Sequence, residues 1–158
     1  MFCDINHLQG GINSSVNIGL MYENALVAIM TFSKPRFNKK YDWELVRYCQ
    51  LKNTRVIGAA GKMLRYFRKN HTGSIISYAN RRWSNGNLYK ALGFSFVRNT
   101  CPSFVYTKNG IIYSRLQLQK HKLKNMENYN PNLTAEKILE LEGFKKLYDC
   151  GNSVWELL

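Results

Sequence analysis

The stretch RVIGAAGKMLRYFRK, residues 55–69, decides the fold. From about Val56 to Lys69 its apolar side chains fall on one face of a helix. Its basic side chains share the opposite face: Lys62, Arg65, Arg68 and Lys69. Strand-like runs flank this helix, WELVRYCQ at residues 43–50 and SIISYA at residues 74–79. This order predicts a β-α-β unit and therefore parallel strands inside a mixed sheet.

Further strands extend the predicted sheet on both sides of this unit. VNIGLMY (16–22) and ALVAIMTFSK (25–34) are joined by the short polar turn Glu23-Asn24, which is typical of a hairpin. Downstream, Ser84 is the predicted N-cap of a short helix in NGNLYKAL, which leads to the strands FSFV and SFVYT. Asn109-Gly110 predicts a second hairpin. The fold class expected is α/β with a mixed sheet (α+β in part).

The character of the chain changes after Ser114. RLQLQKHKLKN is basic and helix-prone, and after the YNPN break Thr134 is placed to cap a helix in AEKILELE. FKKLYDCGNSVWEL (144–157) is typical of a terminal strand-turn-strand. We therefore expect a main domain over 1–113 and, over 114–158, a basic helical and α+β extension packed on or beside it.

Charge is the strongest compositional signal. The 158 residues contain 23 Lys and Arg against 10 Asp and Glu, a formal net charge of +13. A domain this basic usually binds a polyanion, most often nucleic acid, and a nucleotide-bearing cofactor such as coenzyme A would suit the same surface. A basic surface without a charged partner is the alternative.

Other sequence features narrow the class of protein. An apolar content of 45% excludes a disordered chain. The sequence contains no run of eighteen apolar residues, so it predicts no membrane span. The N-terminus MFCDINHLQG shows no signal peptide, so we expect the protein in the cytoplasm, that of the host if a phage encodes it. The four cysteines form no C-x-x-C pair and have no histidine at ligand spacing. We therefore expect no metal site and reduced, partly buried thiols.

The small residues at the start of the long helix suggest a ligand. Gly58, Ala59, Ala60 and Gly61 let backbone N–H groups approach a phosphate closely, and a helix N-terminus favours negative charge. This pattern indicates a pyrophosphate cradle. Tight packing of helix against strand is the alternative explanation.

The same segment resembles the R-x-x-G-x-A acyl-CoA signature of the GNAT acetyltransferase superfamily, and LYKALGF at residues 88–94 resembles that superfamily's LYxxLGF element. The resemblance spans about residues 16–107. It implies a GNAT-like fold, with acetyl-CoA or another acyl-CoA gripped between the third and fourth strands. It implies that Tyr89 protonates the departing thiolate, unless Tyr89 is a core aromatic. The cofactor-binding residues implied are Arg55, Val56, Gly58, Ala59, Ala60, Gly61 and Asn87.

A closer resemblance covers nearly the whole chain. His7-Leu8-Gln9-Gly10, Ser14-Ser15 and Ser77-Tyr78-Ala79-Asn80 followed by Arg81-Arg82-Trp83-Ser84 resemble the Mom-like branch. That branch contains GNAT-fold bacteriophage proteins tied to adenine modification in DNA, with related copies fused to phage homing endonucleases. It typically carries an aspartate where this chain has Asn80, which would remove a general base or metal ligand.

Three further residues are candidates for chemistry. His7 is a candidate base or metal ligand, and Glu44 a candidate water-mediated base, with an exposed strand carboxylate as the alternative. Arg47, on a strand expected at the sheet centre, needs an anionic partner if buried: a DNA phosphate, the cofactor or Glu44.

DNA contacts are expected from basic and aromatic side chains. After the fourth strand, two arginines are suited to hold phosphates while Trp83 stacks on a base that has been flipped out of the duplex. A solvated basic face is the alternative. The candidate nucleic-acid-binding residues are Arg36, Lys39, Lys40, Arg47, Arg81, Arg82, Trp83, Lys120 and Lys122.

The leading hypothesis is a Mom-like acyltransferase that uses acyl-CoA to modify DNA bases at an exocyclic amine, with Tyr89 as the acid and His7 or Glu44 handling the amine proton. A non-catalytic DNA-binding module, related to the domain that accompanies homing endonucleases, is the second hypothesis. A protein or small-amine N-acetyltransferase is the third, although a charge of +13 would repel cationic amines.

Overall fold

The computed structural model describes residues 2–158, which form two compact units. Unit 1 contains the residues up to Asn99 together with Asn152–Leu158, and unit 2 contains Thr100–Gly151. These boundaries differ from the expected division at residues 113 and 114. The last strand belongs to unit 1 because it pairs inside that unit's sheet, so unit 2 is an insertion between two strands.

Unit 1 is built on a six-stranded mixed sheet with the order β1-β2-β3-β4-β9-β5. Its strands are β1 (Val16–Tyr22), β2 (Ala25–Ser33), β3 (Trp43–Gln50), β4 (Ile75–Asn80), β5 (Ser95–Asn99) and β9 (Asn152–Leu157). Its helices are α1 (Phe2–Asn6), α2 (Ala59–Asn70) and α3 (Asn87–Ala91). The predicted hairpin between β1 and β2 is confirmed, and both of its turn residues have positive φ, 47° at Glu23 and 63° at Asn24.

The predicted β-α-β unit is also confirmed, because β3 and β4 run parallel on either side of α2. The apolar face of α2 packs on the sheet, where the Phe67 and Phe32 rings stack with their centroids 3.6 Å apart. The helix begins at Ala59 rather than Val56. Gly58 is in the left-handed region at φ 75°, and Val56 is held by a side chain of β3, so neither residue continues the helix.

The terminal strand-turn-strand predicted over residues 144–157 is confirmed as two consecutive strands, but these strands do not pair with each other. β8 (Lys145–Tyr148) pairs with a strand of unit 2, whereas β9 lies between β4 and β5 in unit 1. Periodicity in the sequence shows two strands joined by Cys150-Gly151 but does not show which sheet each one joins. Asn99 pairs with Ser153, so the two connections to unit 2 leave neighbouring strands.

Unit 2 contains a three-stranded sheet with the order β7-β6-β8 and a small core of its own. Its remaining elements are β6 (Phe104–Lys108), β7 (Ile111–Tyr113) and α4 (Ala135–Leu141). The predicted Asn109-Gly110 hairpin is confirmed, and so is the Thr134 cap, whose hydroxyl accepts the Lys137 N–H at 3.2 Å. The basic segment predicted to be helical forms only a 3-10 turn at Lys120–Lys122.

Two other expectations meet the structure here. Ser84 does not cap α3: Gly86 occupies the cap position, and the Ser84 hydroxyl accepts the Gly86 N–H inside the preceding turn. Cys3 and Cys49 are buried with their sulfurs 3.8 Å apart, a contact distance rather than the about 2.05 Å of a disulfide. Within residues 2–158, no helix is long and apolar enough to cross a membrane.

Candidate functional site

A cavity opens in unit 1 where two parallel strands separate. β3 and β4 pair only from Trp43 opposite Ile75 to Leu45 opposite Ser77. Beyond that point β3 stays with β2 while β4 stays with β9, and the gap forms a cavity of about 390 Å³. The lining residues that bear on chemistry are His7, Arg47, Tyr78, Asn80, Trp83 and Tyr89. This volume lies in the range of small-molecule sites.

Tyr89 lies at the point where the strands separate. Its phenol oxygen is 3.1 Å from the hydroxyl of Ser77, which also donates to the Leu45 carbonyl at 2.8 Å. Burial raises the pKa of Tyr89, with the Ser77 hydrogen bond and Arg47 opposing that shift. The phenol therefore keeps its proton at neutral pH and is a proton donor.

Arg47 is the cationic group of the cavity. Its guanidinium is half-buried and donates to the Gly10 carbonyl at 3.1 Å and to the Val46 carbonyl at 2.9 Å. Burial, followed by the nearby charge of Arg36, lowers the pKa of Arg47, although a guanidinium stays protonated. Within residues 2–158, no carboxylate forms an ion pair with it. The side chain is therefore a candidate anion ligand.

His7 follows α1 and lines the same cavity. Its Nδ1 accepts the backbone N–H of Gln9 at 3.0 Å, which leaves the proton of the neutral ring on Nε2. Burial, and then the charge of Arg47, lowers the pKa of His7. In this arrangement the neutral ring can donate a hydrogen bond from Nε2. It can act as a base only after the hydrogen bond from Gln9 has been broken.

Glu44 does not line the cavity, although sequence reasoning made it a candidate base. Its side chain is 1% exposed, and both of its oxygens are occupied by Arg36. Oε1 accepts Nη2 at 2.5 Å and Nε at 3.0 Å, and Oε2 accepts the backbone N–H of Arg36 at 2.9 Å. Glu44 is therefore a buried structural anion. It is also not the partner of Arg47.

The turn after β4 forms one rim of the cavity. Asn80 ends the strand, and its Oδ1 accepts the N–H of Arg82 at 2.9 Å, so the amide shapes this turn. The Arg82 guanidinium lies over the Trp83 ring at 4.8 Å. Trp83 is 60% exposed and lines the cavity, whereas Arg81 lines a second cavity. The predicted basic-aromatic rim is thus divided between two sites.

The segment predicted to hold a pyrophosphate lies beside the cavity but does not line it. The side chain of Gln50 joins the two places, because it lines the cavity and also bonds Val56 twice, accepting its N–H at 2.9 Å and donating to its carbonyl at 3.1 Å. Among residues 2–158, no backbone carbonyl accepts the N–H of Ala60 or Gly61. Of the amides predicted to hold a phosphate, that of Ala59 donates to the Val56 carbonyl at 3.4 Å, whereas those of Ala60 and Gly61 are still available as donors.

Most of the other basic candidates are already engaged. The Lys39 ammonium donates to the Pro35 carbonyl, whereas the hydrogen bond from Lys40 to Asn38 comes from its backbone N–H and does not occupy its ammonium. In unit 2, the ammonium groups of Lys120 and Lys122 donate to main-chain carbonyls at 2.8 and 2.6 Å. Asn87 and Arg55 are exposed and lie outside the lining of the cavity.

Sequence reasoning gave no site role to three residues, Ser77, Tyr78 and Gln50, although Ser77 and Tyr78 stand in the motif that resembles the Mom-like branch. Ser77 was detectable, because a hydroxyl in the apolar run SIISYA must find a buried partner. Nothing in the sequence marked Gln50 as a site residue, since a glutamine at the end of a strand is common. Within the described part of the chain, no group of three or more His, Cys, Asp or Glu side chains is placed to hold a metal ion.

Comparison with known proteins identifies the family. The model of the Mom protein family matches residues 6–148, which cover both units almost completely. No curated protein matches the chain significantly. The match extends from the His7 end of the cavity, through β3, β4 and α3, into β8. The chain therefore belongs to the Mom protein family and is a phage-type protein related to DNA modification.

Proposed function

We propose that this protein transfers an acyl group from acyl-CoA to an exocyclic amine of a DNA base. The observation that carries the proposal is the cavity at the separation of β3 and β4, where a protonated phenol lies with a guanidinium that forms no ion pair with a described carboxylate, beside a helix N-terminus. Family membership supports DNA as the substrate. The resemblance to GNAT acetyltransferases supports the acyl donor.

The residues of the α2 N-terminus fit a pyrophosphate. Gly58 is left-handed, a Cβ there would meet nothing within 4 Å, and the amides of Ala60 and Gly61 are available. Arg55, Val56 and Ala59 complete this segment, and Asn87 starts the neighbouring α3. A bound acyl-CoA would supply the activated thioester carbonyl.

The residues in and around the cavity would then bind the DNA and move the protons of the reaction. Arg47 in the cavity and Arg82 in the adjoining turn bind phosphate, and Trp83 stacks on a base that has left the duplex. In the transfer, a bond from the base nitrogen to the acyl carbon replaces the carbon–sulfur bond. Tyr89 donates its proton to the departing sulfur. The nitrogen gives up one proton to water, or to His7 if the Gln9 hydrogen bond opens.

Nucleoside analysis tests this proposal directly. The purified protein is incubated with acetyl-CoA and duplex DNA, and the DNA is digested and analysed by mass spectrometry for an acylated base. The Gly61→Glu variant adds a carboxylate beside the amides of Ala60 and Gly61, at a position where a Cβ would meet only Leu92 at 4.0 Å, and should abolish both the product and acetyl-CoA binding in calorimetry. Lys69→Glu, at the other end of α2, is the matched control. No product and no acetyl-CoA binding by the wild type would refute the acyl transfer.

A non-catalytic DNA-binding protein is the second candidate function. It is favoured by the occupied oxygens of Glu44, the engaged Nδ1 of His7 and the amide at Asn80, since no carboxylate base lines the cavity. Tyr89→Phe separates the two candidates, with Tyr66→Phe on the exposed face of α2 as its control. An enzyme should lose about 100-fold in rate at Tyr89→Phe with unchanged DNA affinity. A binding protein has no rate to lose.

A further inference from the structure

Unit 1 contains a second cavity that the proposed reaction does not use. Its volume is about 410 Å³, and three residues of the turn that follows β4, Arg81, Ser84 and Asn85, line it. Its walls carry two cations, two amides and two aromatic rings: Arg81, Lys90, Asn85, Asn99, Phe96 and Trp155. No carboxylate is among the residues that line it. Its chemistry therefore suits an anion that also carries a flat ring.

The two cavities are neighbours with shared walls. Ser84 lines both of them. Tyr89 lines the first cavity and Trp155 the second, and the two rings stack with centroids 5.6 Å apart and planes 11° from parallel. The 81–85 turn and one pair of stacked rings therefore contribute to the walls of both cavities. That arrangement suits two adjacent units of one polymer.

The floor of the second cavity is rigid, whereas one ring is presented to solvent. Trp155 is 4% exposed, and its indole N–H donates to the Ser153 hydroxyl at 2.9 Å. Gly86 packs so closely on this indole that a Cβ there would lie 2.1 Å from it. Phe96 is 52% exposed and meets Trp155 edge-on at 5.5 Å. A fixed floor beside an exposed ring is typical of a stacking platform for a base.

We infer that the second cavity binds the nucleotide that flanks the target base on the same DNA strand. Phe96 stacks on the flanking base, Lys90 and Arg81 hold its phosphate, and the amides of Asn85 and Asn99 contact its edge. This inference rests on the proposed function, because it takes the first cavity as the site of the target base. The second cavity then makes the reaction sensitive to sequence context.

Binding of short single strands tests the inference by fluorescence anisotropy. One oligonucleotide carries a normal base beside the target, and the other carries an abasic position there. Phe96→Ala should weaken binding of the normal strand by about tenfold and leave the abasic strand unchanged. Tyr66→Ala, which removes an exposed ring on α2, is the matched control and should weaken neither strand.

A second variant covers the case in which Phe96→Ala disturbs the sheet. Lys90→Gln changes an exposed side chain, and it should weaken both strands and flatten the salt dependence of binding. Lys69→Gln on α2 is its control. If the wild type binds DNA and both cavity variants bind it with the same affinity as their controls, this inference is overturned and the proposed function is not. An equal loss of affinity for both strands at Phe96→Ala also overturns it if Lys90→Gln equals its control. A wild type that binds no DNA overturns the proposed function itself.

Discussion

The two halves of β3 show opposite uses of charge. In the first half, Glu44 is buried and saturated by Arg36, next to strands that pair on both sides. In the second half, Arg47 is half-buried, lines the cavity and forms no ion pair with a described carboxylate. The two residues are three positions apart, and the difference arises where β4 leaves β3 after Ser77. Where the sheet is closed, the buried charge is neutralised by a neighbouring side chain and stabilises the fold. Where the sheet opens, the charge remains able to bind a ligand.

The largest effect is expected from a substitution in the first half of β3, where the sheet is closed. Glu44→Ala leaves the Arg36 guanidinium without its carboxylate and opens a space beside it, so we expect unit 1 to lose about 3 kcal/mol of unfolding free energy. The measurement is denaturant unfolding followed by tryptophan fluorescence, since Trp43, Trp83 and Trp155 all lie in unit 1. Glu23→Gln removes an exposed charge in the β1–β2 turn of the same unit and should change stability by less than about 0.5 kcal/mol. Equal losses of unfolding free energy at Glu44 and Glu23 would contradict the comparison.

Arg47→Met tests the open half. The variant removes a desolvated charge together with two hydrogen bonds to carbonyls, so we expect stability to change by less than about 1 kcal/mol. Affinity for DNA should fall about tenfold, because a half-buried cation contributes more to anion binding than an exposed one. Anisotropy titrations at two salt concentrations provide the measurement. Arg65→Met, on α2, is the control. A variant that loses much more stability than this but, while folded, still binds DNA with normal affinity would show that Arg47 is structural.

Gln50→Ala removes a side chain that ties the open half of β3 to the loop before α2. The side chain holds both backbone groups of Val56, so its loss should cost about 1 kcal/mol of stability. It should also speed amide hydrogen exchange at Val56 relative to Met63, which lies within α2. Exchange followed by mass spectrometry or NMR gives the rates. Unchanged exchange at Val56 would mean that other contacts hold the loop.

The smallest effect is a pH dependence that originates at His7. Burial, with Arg47, lowers the pKa of this imidazole below its usual 6.5, so the unfolded chain takes up the proton first as the pH falls. The stability is present in full above pH 6.5 and is lost as the pH falls through the folded pKa. His7→Gln should flatten the stability–pH curve in that window. A curve with the same slope in both proteins would assign the dependence to other groups.

The local elements could be read from the sequence because their signals are local. The hairpins at Glu23-Asn24 and Asn109-Gly110, the helix α2 and the Thr134 cap each depend on a few neighbouring residues, and the structure contains them all. Long-range pairing could not be read in this way. Nothing in NSVWEL indicates that β9 joins β4 and β5 rather than β8.

The candidate site was predicted in the same uneven way. His7, Arg47, Asn80, Trp83 and Tyr89 do line one cavity. Glu44 was misplaced, because a strand carboxylate looks the same in sequence whether it faces a cavity or an arginine from a neighbouring loop. The predicted phosphate track through Lys120 and Lys122 rested on composition alone, and both ammonium groups bond their own unit's carbonyls.

The position of β9 has a consequence for synthesis of the chain. The strand lies inside the sheet of unit 1, yet the ribosome makes it only after all of unit 2. Until then β4 and β5 lack the strand between them and expose unpaired edges, which are prone to association with other chains. Unit 2 has its own core and can fold while the sheet of unit 1 is still incomplete. The last step of folding therefore creates the wall that carries Trp155, and the nascent protein has no finished site until that step is complete.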